Sequence, residues 1–249
     1  MLIPFKLLRF TKFKGIIHVG AHEAEELNDY LERDIEDIIW IEPIPEKIKF
    51  LKNKLANYKK MIIGEFAAGE SESIVKFNIA NNYQSSSVLD LGTHKESYPW
   101  CDYVSVINVP VKSIDKWINS LSIRNEQFDF VNLDLQGYEL QALKGMSNQL
   151  HFIKVVYCEV FFQEVYKNNT LVHEVDRFLS TYGFKRVATS KCKEGWGDAV
   201  YVKKNKIFYT IFLGLYIIVI NILWENTKQF FISLRYKFGI FRKNLRERF

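Results

Sequence analysis

Residues 15–42 read GIIHVGAHEAEELNDYLERDIEDIIWIE. This segment opens with a short apolar run, Gly15–Val19, and closes with another, Asp37–Ile41. Between the two runs, residues 23–33 place apolar side chains at helical spacing. Short apolar runs bounded by glycine or by charged residues are typical of buried strands. The segment therefore predicts a strand, a helix and a second strand.

The same alternation continues along most of the chain. A charged amphipathic helix over residues 46–58 and a strand over residues 61–67 complete a β-α-β-α-β pattern. Further strands are predicted at 74–79, 103–111, 128–133 and 153–160, helices from 114 and at 138–145 and 171–182, and a closing strand pair at 184–188 and 199–202. Strands that alternate with helices form a parallel sheet with helices on both faces. We therefore predict an α/β fold with a Rossmann-like, doubly wound, mostly parallel sheet.

Two positions beside the first strands indicate a nucleoside-binding site. Gly20 follows the first strand, where a glycine lets a ligand approach the backbone and free backbone N–H groups of the turn can face it. Glu42 ends the second strand, 22 residues after Gly20. An acidic side chain at this spacing is placed to accept hydrogen bonds from ribose hydroxyls. The alternative role for Glu42 is a helix-entry carboxylate beside Pro43 and Pro45.

Both NAD and S-adenosylmethionine fit a strand, glycine turn and helix followed by an acidic strand end. A dinucleotide needs room for its pyrophosphate, which a turn with several glycines usually provides. This turn has one glycine and carries Glu23, whose charge would repel a pyrophosphate. S-adenosylmethionine has a sulfonium and an amino-acid group and no phosphate. We therefore predict S-adenosylmethionine as the cofactor.

A second segment carries a family resemblance. Residues 128–139 read FDFVNLDLQGYE and are followed by a Leu-Lys-Gly helix end at Leu143–Gly145. This combination closely resembles the FkbM-type methyltransferases, and the block Asp134–Gly145 is specific. The resemblance covers about residues 15–203 and includes Ile17–Ala21, Trp40–Pro43, Ser85–Leu89, Cys158–Val160, Tyr166 and Phe178–Phe184.

The resemblance implies a class I methyltransferase fold and methyl transfer to a hydroxyl, often on a sugar or secondary metabolite. The chain departs from the family pattern at two positions. His18 stands where the family usually has an acidic residue, so an anion expected at the methionine end of the cofactor is missing. Ala24 replaces the usual glycine and adds a methyl group at the helix start. His22-Glu23 with Glu25-Glu26 resembles a variant of the same loop and is expected to compensate in part.

Site residues are predicted at the carboxyl ends of the strands, where open α/β sheets bind ligands. Asp134 is the leading candidate for accepting the acceptor's proton or for orienting it, and its alternatives are holding the cofactor or capping the next helix. Glu159 and His22 are the other catalytic candidates. The predicted cofactor contacts are His18, Gly20, Ala21, Glu25, Glu42, Pro43, Ala67, Ala68 and Asp134, and the predicted substrate contacts are Ser87, Gln136 and Glu139.

The remaining polar candidates are assigned to the surface or to turns. His94 and His173 are predicted to be surface residues, and Asp198 to lie in a hairpin-like turn after Gly195–Gly197. Cysteine spacing predicts neither a disulfide framework nor a metal site, because Cys101, Cys158 and Cys192 lie far apart.

Composition and the C-terminal segment suggest three parts. Hydrophobic residues make up 48% of the 249 and charged residues 25%, which is enough to build a sizeable core. We predict an N-terminal segment at 1–14, the methyltransferase domain at 15–204 and a helical tail at 205–249. Within the tail, Ile207–Trp224 holds 18 residues without a charge, and residues 226–249 mix seven Lys and Arg with aromatic residues. This composition is typical of a segment that lies on a membrane surface.

The sequence thus predicts an S-adenosylmethionine-dependent O-methyltransferase. Its expected acceptor is a small molecule or glycan near a membrane, and its expected location is the cytoplasmic face, with residues 207–249 on the inner membrane surface. The alternatives are a membrane-anchored scaffold that has lost turnover and an NAD-dependent oxidoreductase. A net charge of +5 is mild and comes largely from the tail, so we predict no nucleic-acid partner.

Overall fold

The computed structural model describes residues 12–204 except residues 122 and 192, so the predicted tail lies outside the described residues. The described strands are β1 (Gly15–Val19), β2 (Asp37–Ile41), β3 (Met61–Gly64), β4 (Ala67–Ala68), β5 (Ser73–Ala80), β6 (Tyr103–Lys112), β7 (Phe130–Leu133), β8 (Val155–Phe161), β9 (Phe184–Lys191) and β10 (Trp196–Lys203). The described helices are α1 (Leu27–Leu31), α2 (Pro45–Lys54), α3 (His94–Ser97), α4 (Ile114–Ser120), α5 (Glu139–Lys144) and α6 (Val172–Thr181).

Seven strands form the central sheet in the order β3-β2-β1-β7-β8-β10-β9. The first five of these are parallel, while β10 runs antiparallel between β8 and β9. The chain winds outward from β1 through β2 and β3 in one direction, and from β7 through β8 in the other. The predicted doubly wound, mostly parallel α/β sheet is therefore confirmed.

The strand order reverses between β1 and β7. Val19 of β1 pairs with Leu133 of β7, so the residues that follow them, Gly20 and Asp134, leave the sheet side by side. Ligands of open α/β sheets bind outside the carboxyl ends of the strands at such a switch point. The topology thus brings together two positions that are 114 residues apart in sequence.

A small second sheet corrects the strand predicted at 61–67. The chain leaves the central sheet after Gly64, and residues 67–68 form β4 of a three-stranded sheet ordered β4-β6-β5. Phe66 turns inward at this break and packs edge-on against Trp117, with ring centroids 5.0 Å apart. The residues on either side of the break are apolar, and only the exposed Glu65 marks it, so hydrophobicity alone did not show where one strand ends and the next begins.

Helix α1 is shorter than the predicted 23–33. His22 and Ala24 have φ angles of 43° and 51°, a left-handed conformation that a helix cannot contain. The Nζ atom of Lys54 donates to the carbonyl oxygens of Glu23 and Ala24, at 2.6 and 2.9 Å. Ala24 is therefore in a loop rather than at the helix start, and glycine in its place would avoid a backbone cost of about 1–2 kcal/mol.

The core lies between the central sheet and its helices. Every residue of β1, β7 and β8 is buried, and their apolar side chains pack with those of α4, α5 and α6. This packing fixes the strand ends that form the candidate site.

None of the helices in the described ranges has the length and apolar composition needed to span a membrane.

Candidate active site

A cavity of about 530 Å³ opens at the carboxyl ends of β1, β2 and β7. Its volume lies within the range of about 300–1,000 Å³ that is usual for ligand pockets. Most residues predicted to contact the cofactor line this pocket: His18, Gly20, Glu25, Glu42, Pro43, Ala67, Ala68 and Asp134. The catalytic candidates His22 and Glu159 and the substrate candidate Gln136 line it as well.

The Gly20 turn passes close to β7. Gly20 has a φ of +84°, and a Cβ atom there would overlap the carbonyl oxygen of Asp134. The backbone N–H groups of Gly20 and Ala21 both donate to the carbonyl oxygen of Ile41, at 3.0 Å. These N–H groups therefore do not face a ligand, contrary to the sequence expectation, and Ala21 is buried outside the pocket wall. Glycine is needed here for a close backbone approach between strand ends.

Glu42 is buried with both oxygens held by backbone groups. Its Oε2 accepts from the N–H of His22 at 2.8 Å, and its Oε1 accepts from the N–H of Ile44 at 2.9 Å. Burial raises the pKa of Glu42 to about 7, although these two N–H groups oppose the shift. Each oxygen retains a further lone pair, so the fixed carboxylate could accept hydrogen bonds from a ligand in the pocket.

The acidic residues after Gly20 face different partners. Glu23 forms an ion pair with Lys47, at 2.5 Å, and does not line the pocket as the sequence suggested. Glu25 accepts from Nδ1 of His22 at 2.6 Å. Although burial alone would raise it, hydrogen bonds from His22 and from backbone N–H groups lower the pKa of Glu25 to about 2. Glu25 and Glu26 therefore line the pocket, and Glu23 does not.

His18 lines the pocket and belongs to a buried hydrogen-bonded group. Its Nδ1 lies 2.9 Å from the hydroxyl of Tyr30, which accepts from the side-chain amide of Asn132 at 2.9 Å. The imidazole stacks on Trp40, with ring centroids 4.8 Å apart. Burial lowers the pKa of His18, so its ring is neutral at neutral pH. His18 thus does not place a positive charge in the pocket.

Asp134 is held by a chain of two polar side chains. The amide nitrogen of Gln136 donates to Oδ1 of Asp134 at 2.6 Å, and the hydroxyl of Tyr166 donates to Oε1 of Gln136 at 2.6 Å. Because Tyr166 occupies the amide oxygen, the amide nitrogen must face Asp134. Burial raises the pKa of Asp134 to about 6, opposed by Gln136 and increased by the charges of Asp198 and Glu26. Above this pH, the side chain of Asp134 is an ionised carboxylate in the pocket wall.

Two further carboxylates lie on neighbouring strands. Glu159 on β8 is directly opposite Asp198 on β10, and both line the pocket. The prediction that Asp198 occupies a turn is therefore wrong. The sequence Gly195–Gly197 contains turn-forming residues, but Gly197 already pairs within the antiparallel ladder, which places Asp198 inside a strand. Burial raises the pKa of Asp198.

Two predicted substrate residues instead hold the 134–139 loop. The hydroxyl of Ser87 donates to the carbonyl oxygen of Gln136 at 3.0 Å. Oε1 of Glu139 accepts from the N–H groups of Leu135 and Gly137, at 2.9 and 3.2 Å. Neither side chain is part of the pocket wall. Their contacts position the loop that carries Asp134 and Gln136.

The pocket also contains an aromatic wall that the sequence did not predict. His94, predicted to be a surface residue, is buried in this wall, with ring centroids 4.9 Å from Tyr98 and 5.3 Å from Tyr166. Its Nδ1 has no hydrogen-bond partner among the described residues, and burial lowers its pKa. Trp100 and Trp196 complete the wall. His94 and Tyr98 are four residues apart, a spacing that places two side chains on the same face of a helix, and this spacing could have indicated that both face the pocket.

The pocket wall is strongly acidic. Among its described residues there is no lysine or arginine, and six carboxylates line it: Glu25, Glu26, Glu42, Asp134, Glu159 and Asp198. In the described part of the chain, no group of three or more His, Cys, Asp and Glu side chains is arranged to hold a metal ion. Such a wall repels a phosphate and attracts an organic cation.

The methyltransferase FkbM domain family matches residues 18–186 of the chain. The chain belongs to the FkbM methyltransferase family. The matched range contains the Gly20 turn, Glu42, the Asp134 loop and the carboxyl ends of β1, β2, β7 and β8, whereas β10 lies beyond it. The methyltransferase predicted from the sequence is thereby confirmed.

Individual relatives are distant. The 2-O-methyltransferase NoeI of Sinorhizobium fredii is 21% identical over 175 residues, which cover 67% of this chain and 71% of that protein. The solved N-methyltransferase NodS of Bradyrhizobium japonicum WM9 is 9% identical, with a TM-score of 0.47 over 80% of this chain and 91% of that one. A magnesium protoporphyrin IX methyltransferase from Synechocystis PCC 6803, solved with bound SAM, is 10% identical, with a TM-score of 0.41 over 76% and 69% of the two chains.

Proposed function

We propose that this protein transfers a methyl group from S-adenosylmethionine to a hydroxyl oxygen of a sugar, glycan or related metabolite near a membrane. The observation that carries the choice of cofactor is the charge of the pocket: its described wall has six carboxylates and no lysine or arginine. S-adenosylmethionine carries a sulfonium and an ammonium, whereas NAD carries a pyrophosphate. An acidic wall favours the first and opposes the second.

The nucleoside end of the cofactor fits the side of the pocket below β2. The carboxylate of Glu42, fixed by the N–H groups of His22 and Ile44, would accept hydrogen bonds from the ribose hydroxyls. Apolar Ala67 and Ala68 in the same wall would contact the adenine ring. Nε2 of His22 is buried there without a hydrogen-bond partner among the described residues, so it offers a further contact.

The transfer end fits the side below β7. S-adenosylmethionine, when bound, supplies a methyl group on a positively charged sulfur. Asp134 would accept the proton of the acceptor hydroxyl, which makes the oxygen nucleophilic, while Gln136 keeps its carboxylate in place. The raised pKa of Asp134, about 6, leaves it ionised at neutral pH yet basic enough to take a proton. Glu159 and Asp198 would hold neighbouring hydroxyls.

The aromatic wall supports a ring-shaped, uncharged acceptor. Tyr98, Trp100 and Trp196 offer apolar ring faces with polar edges, and His94 offers a neutral nitrogen without a partner among the described residues. A sugar presents C–H groups and hydroxyls to such a surface. The distant relative NoeI, which is described as a 2-O-methyltransferase, also favours an oxygen acceptor.

Calorimetric titration tests the cofactor. We expect S-adenosylmethionine and S-adenosylhomocysteine to bind and NAD not to bind. Binding of NAD, without binding of S-adenosylhomocysteine, would instead favour the oxidoreductase that the sequence left open. Transfer of a labelled methyl group to a panel of sugars and lipid-linked glycans then separates an enzyme from a scaffold, since a scaffold would bind the cofactor without methylating any acceptor.

A further inference from the structure

Glu26 differs from the other carboxylates near the Gly20 turn. Glu23 has Lys47 as its partner, Glu25 has His22, and Glu42 has two backbone N–H groups. Among the described residues, Glu26 has an ion-pair contact with His18, whose Nε2 lies 4.0 Å from Oε2 of Glu26. The side chain of Glu26 is 16% exposed and lines the pocket. A carboxylate removed from water in this way requires a compensating charge or donor.

His18 does not supply that charge. Nδ1 of His18 lies 2.9 Å from the Tyr30 hydroxyl, on the side of the ring away from Nε2. Nε2 is the imidazole nitrogen that faces Glu26. A separation of 4.0 Å exceeds hydrogen-bond distance, and burial lowers the pKa of His18. His18 therefore neither ion-pairs closely with nor hydrogen-bonds the Glu26 carboxylate, which lines the pocket.

We propose that Glu26 binds the α-amino group of S-adenosylmethionine and supplies, from the loop before α1, the anion that His18 does not provide. The inference rests on the proposed cofactor. An ammonium has three N–H donors and a sulfonium has none, so only the amino group can form a charge-assisted hydrogen bond with a carboxylate. With the ribose at Glu42, the amino-acid end extends towards the β1 side of the pocket, where Glu26 lies beside His18.

The test compares two ligands that differ only in this amino group. S-adenosylhomocysteine and its deaminated analogue are titrated into the full chain and into Glu26→Gln. We expect Glu26→Gln to weaken S-adenosylhomocysteine binding at least tenfold, because a hydrogen bond between charged groups is lost. Binding of the deaminated analogue should change less than threefold, since it has no ammonium to lose. Glu32→Gln, an exposed carboxylate just after α1, is the matched control and should change neither affinity.

The outcomes separate the inference from the proposed function. Equal losses for both ligands, or no loss for either, would overturn the assignment of Glu26. Binding of neither ligand to the unaltered protein would overturn the proposed cofactor itself. If Glu26→Gln does not fold, Glu26→Asp gives the same comparison, because it keeps the charge and withdraws it by one methylene. A smaller loss, again confined to S-adenosylhomocysteine, is expected for that variant.

Discussion

At the residue scale, Glu42 is a buried carboxylate whose oxygens can still accept hydrogen bonds from a ligand. Both oxygens are fixed by backbone N–H groups, and the pKa is raised to about 7 by burial. Replacing Glu42 with alanine should cost about 1–3 kcal/mol of S-adenosylhomocysteine binding, or roughly 5- to 150-fold, through lost ribose hydrogen bonds. Calorimetry measures this directly. Unchanged affinity would mean that the ribose does not bind at Glu42.

The same residue predicts a pH dependence. With the ribose bound as we propose, the ionised carboxylate would accept hydrogen bonds from both ribose hydroxyls, whereas the protonated form would have to donate one of its own. Since the pKa of Glu42 is raised to about 7, affinity for S-adenosylhomocysteine should rise as the pH increases from 6 to 8. Glu42→Gln has no proton to lose and should show a flatter profile. A profile equally steep in that variant would assign the titration to another group.

Asp134 carries the catalytic prediction. Asp134→Asn keeps the shape of the side chain but removes the charge that, in the proposed function, would accept the acceptor's proton. We expect methyl transfer to fall by at least about 10²-fold, while cofactor affinity changes less than about tenfold. The measurement follows once the panel of sugars and lipid-linked glycans has supplied an acceptor. Intact turnover would move the base to Glu159 or His22, and lost cofactor binding would place Asp134 in the cofactor site.

At the scale of elements, the Leu-Lys-Gly end of α5 joins three segments. The carbonyl oxygen of Gly145 accepts from the hydroxyl of Ser113 at 2.8 Å and from the N–H of Asp115 at 3.0 Å, which ties α5 to the start of α4. A Cβ atom at Gly145 would overlap the carbonyl oxygen of Gly69, just after β4. This part of the family motif is therefore a packing requirement between helix and small sheet.

Gly145→Ala should consequently destabilise the fold by about 1–3 kcal/mol or more, because backbone must move to relieve the overlap. The free energy of unfolding in urea measures the effect. Gly183→Ala is the matched control: its φ of +80° is unfavourable for alanine, but nothing lies within 4 Å of the added Cβ. We expect its cost to be smaller, about 1–2 kcal/mol. A larger loss at Gly183 than at Gly145 would contradict the packing argument.

At the scale of the whole molecule, the prediction concerns residues 207–249. Strand β10 ends at Lys203, and the backbone N–H of Lys204 donates to the carbonyl oxygen of Gly183, so the antiparallel pair of β9 and β10 is complete there. We propose that the tail binds anionic membrane surfaces through its basic and aromatic residues. A chain ending at Lys204 should remain soluble and retain S-adenosylhomocysteine binding, while the full chain should sediment with anionic vesicles. Neutral vesicles are the control. If the full chain sediments with neither kind of vesicle, the proposed membrane association is wrong.

The sequence by itself determined the sheet and the edge at which the pocket lies. Buried strands that alternate with helices form a parallel sheet covered by helices. The carboxyl ends of its strands meet at one edge, where ligands bind. Gly20, Glu42 and Asp134 could therefore be placed together from their positions along the chain alone. The family pattern added the Asp134 loop, because its glycines and carboxylates are fixed by local backbone geometry.

Only the tertiary structure decided which charges face the pocket. Lys47 and Lys54 come from α2, and they engage Glu23 and the loop carbonyls, so that Glu25 and Glu26 line the cavity. His94 was predicted to be a surface residue, yet Tyr166, from a distant segment, packs against it. Such pairings depend on segments that meet after folding, and the order of residues along the chain does not encode them locally.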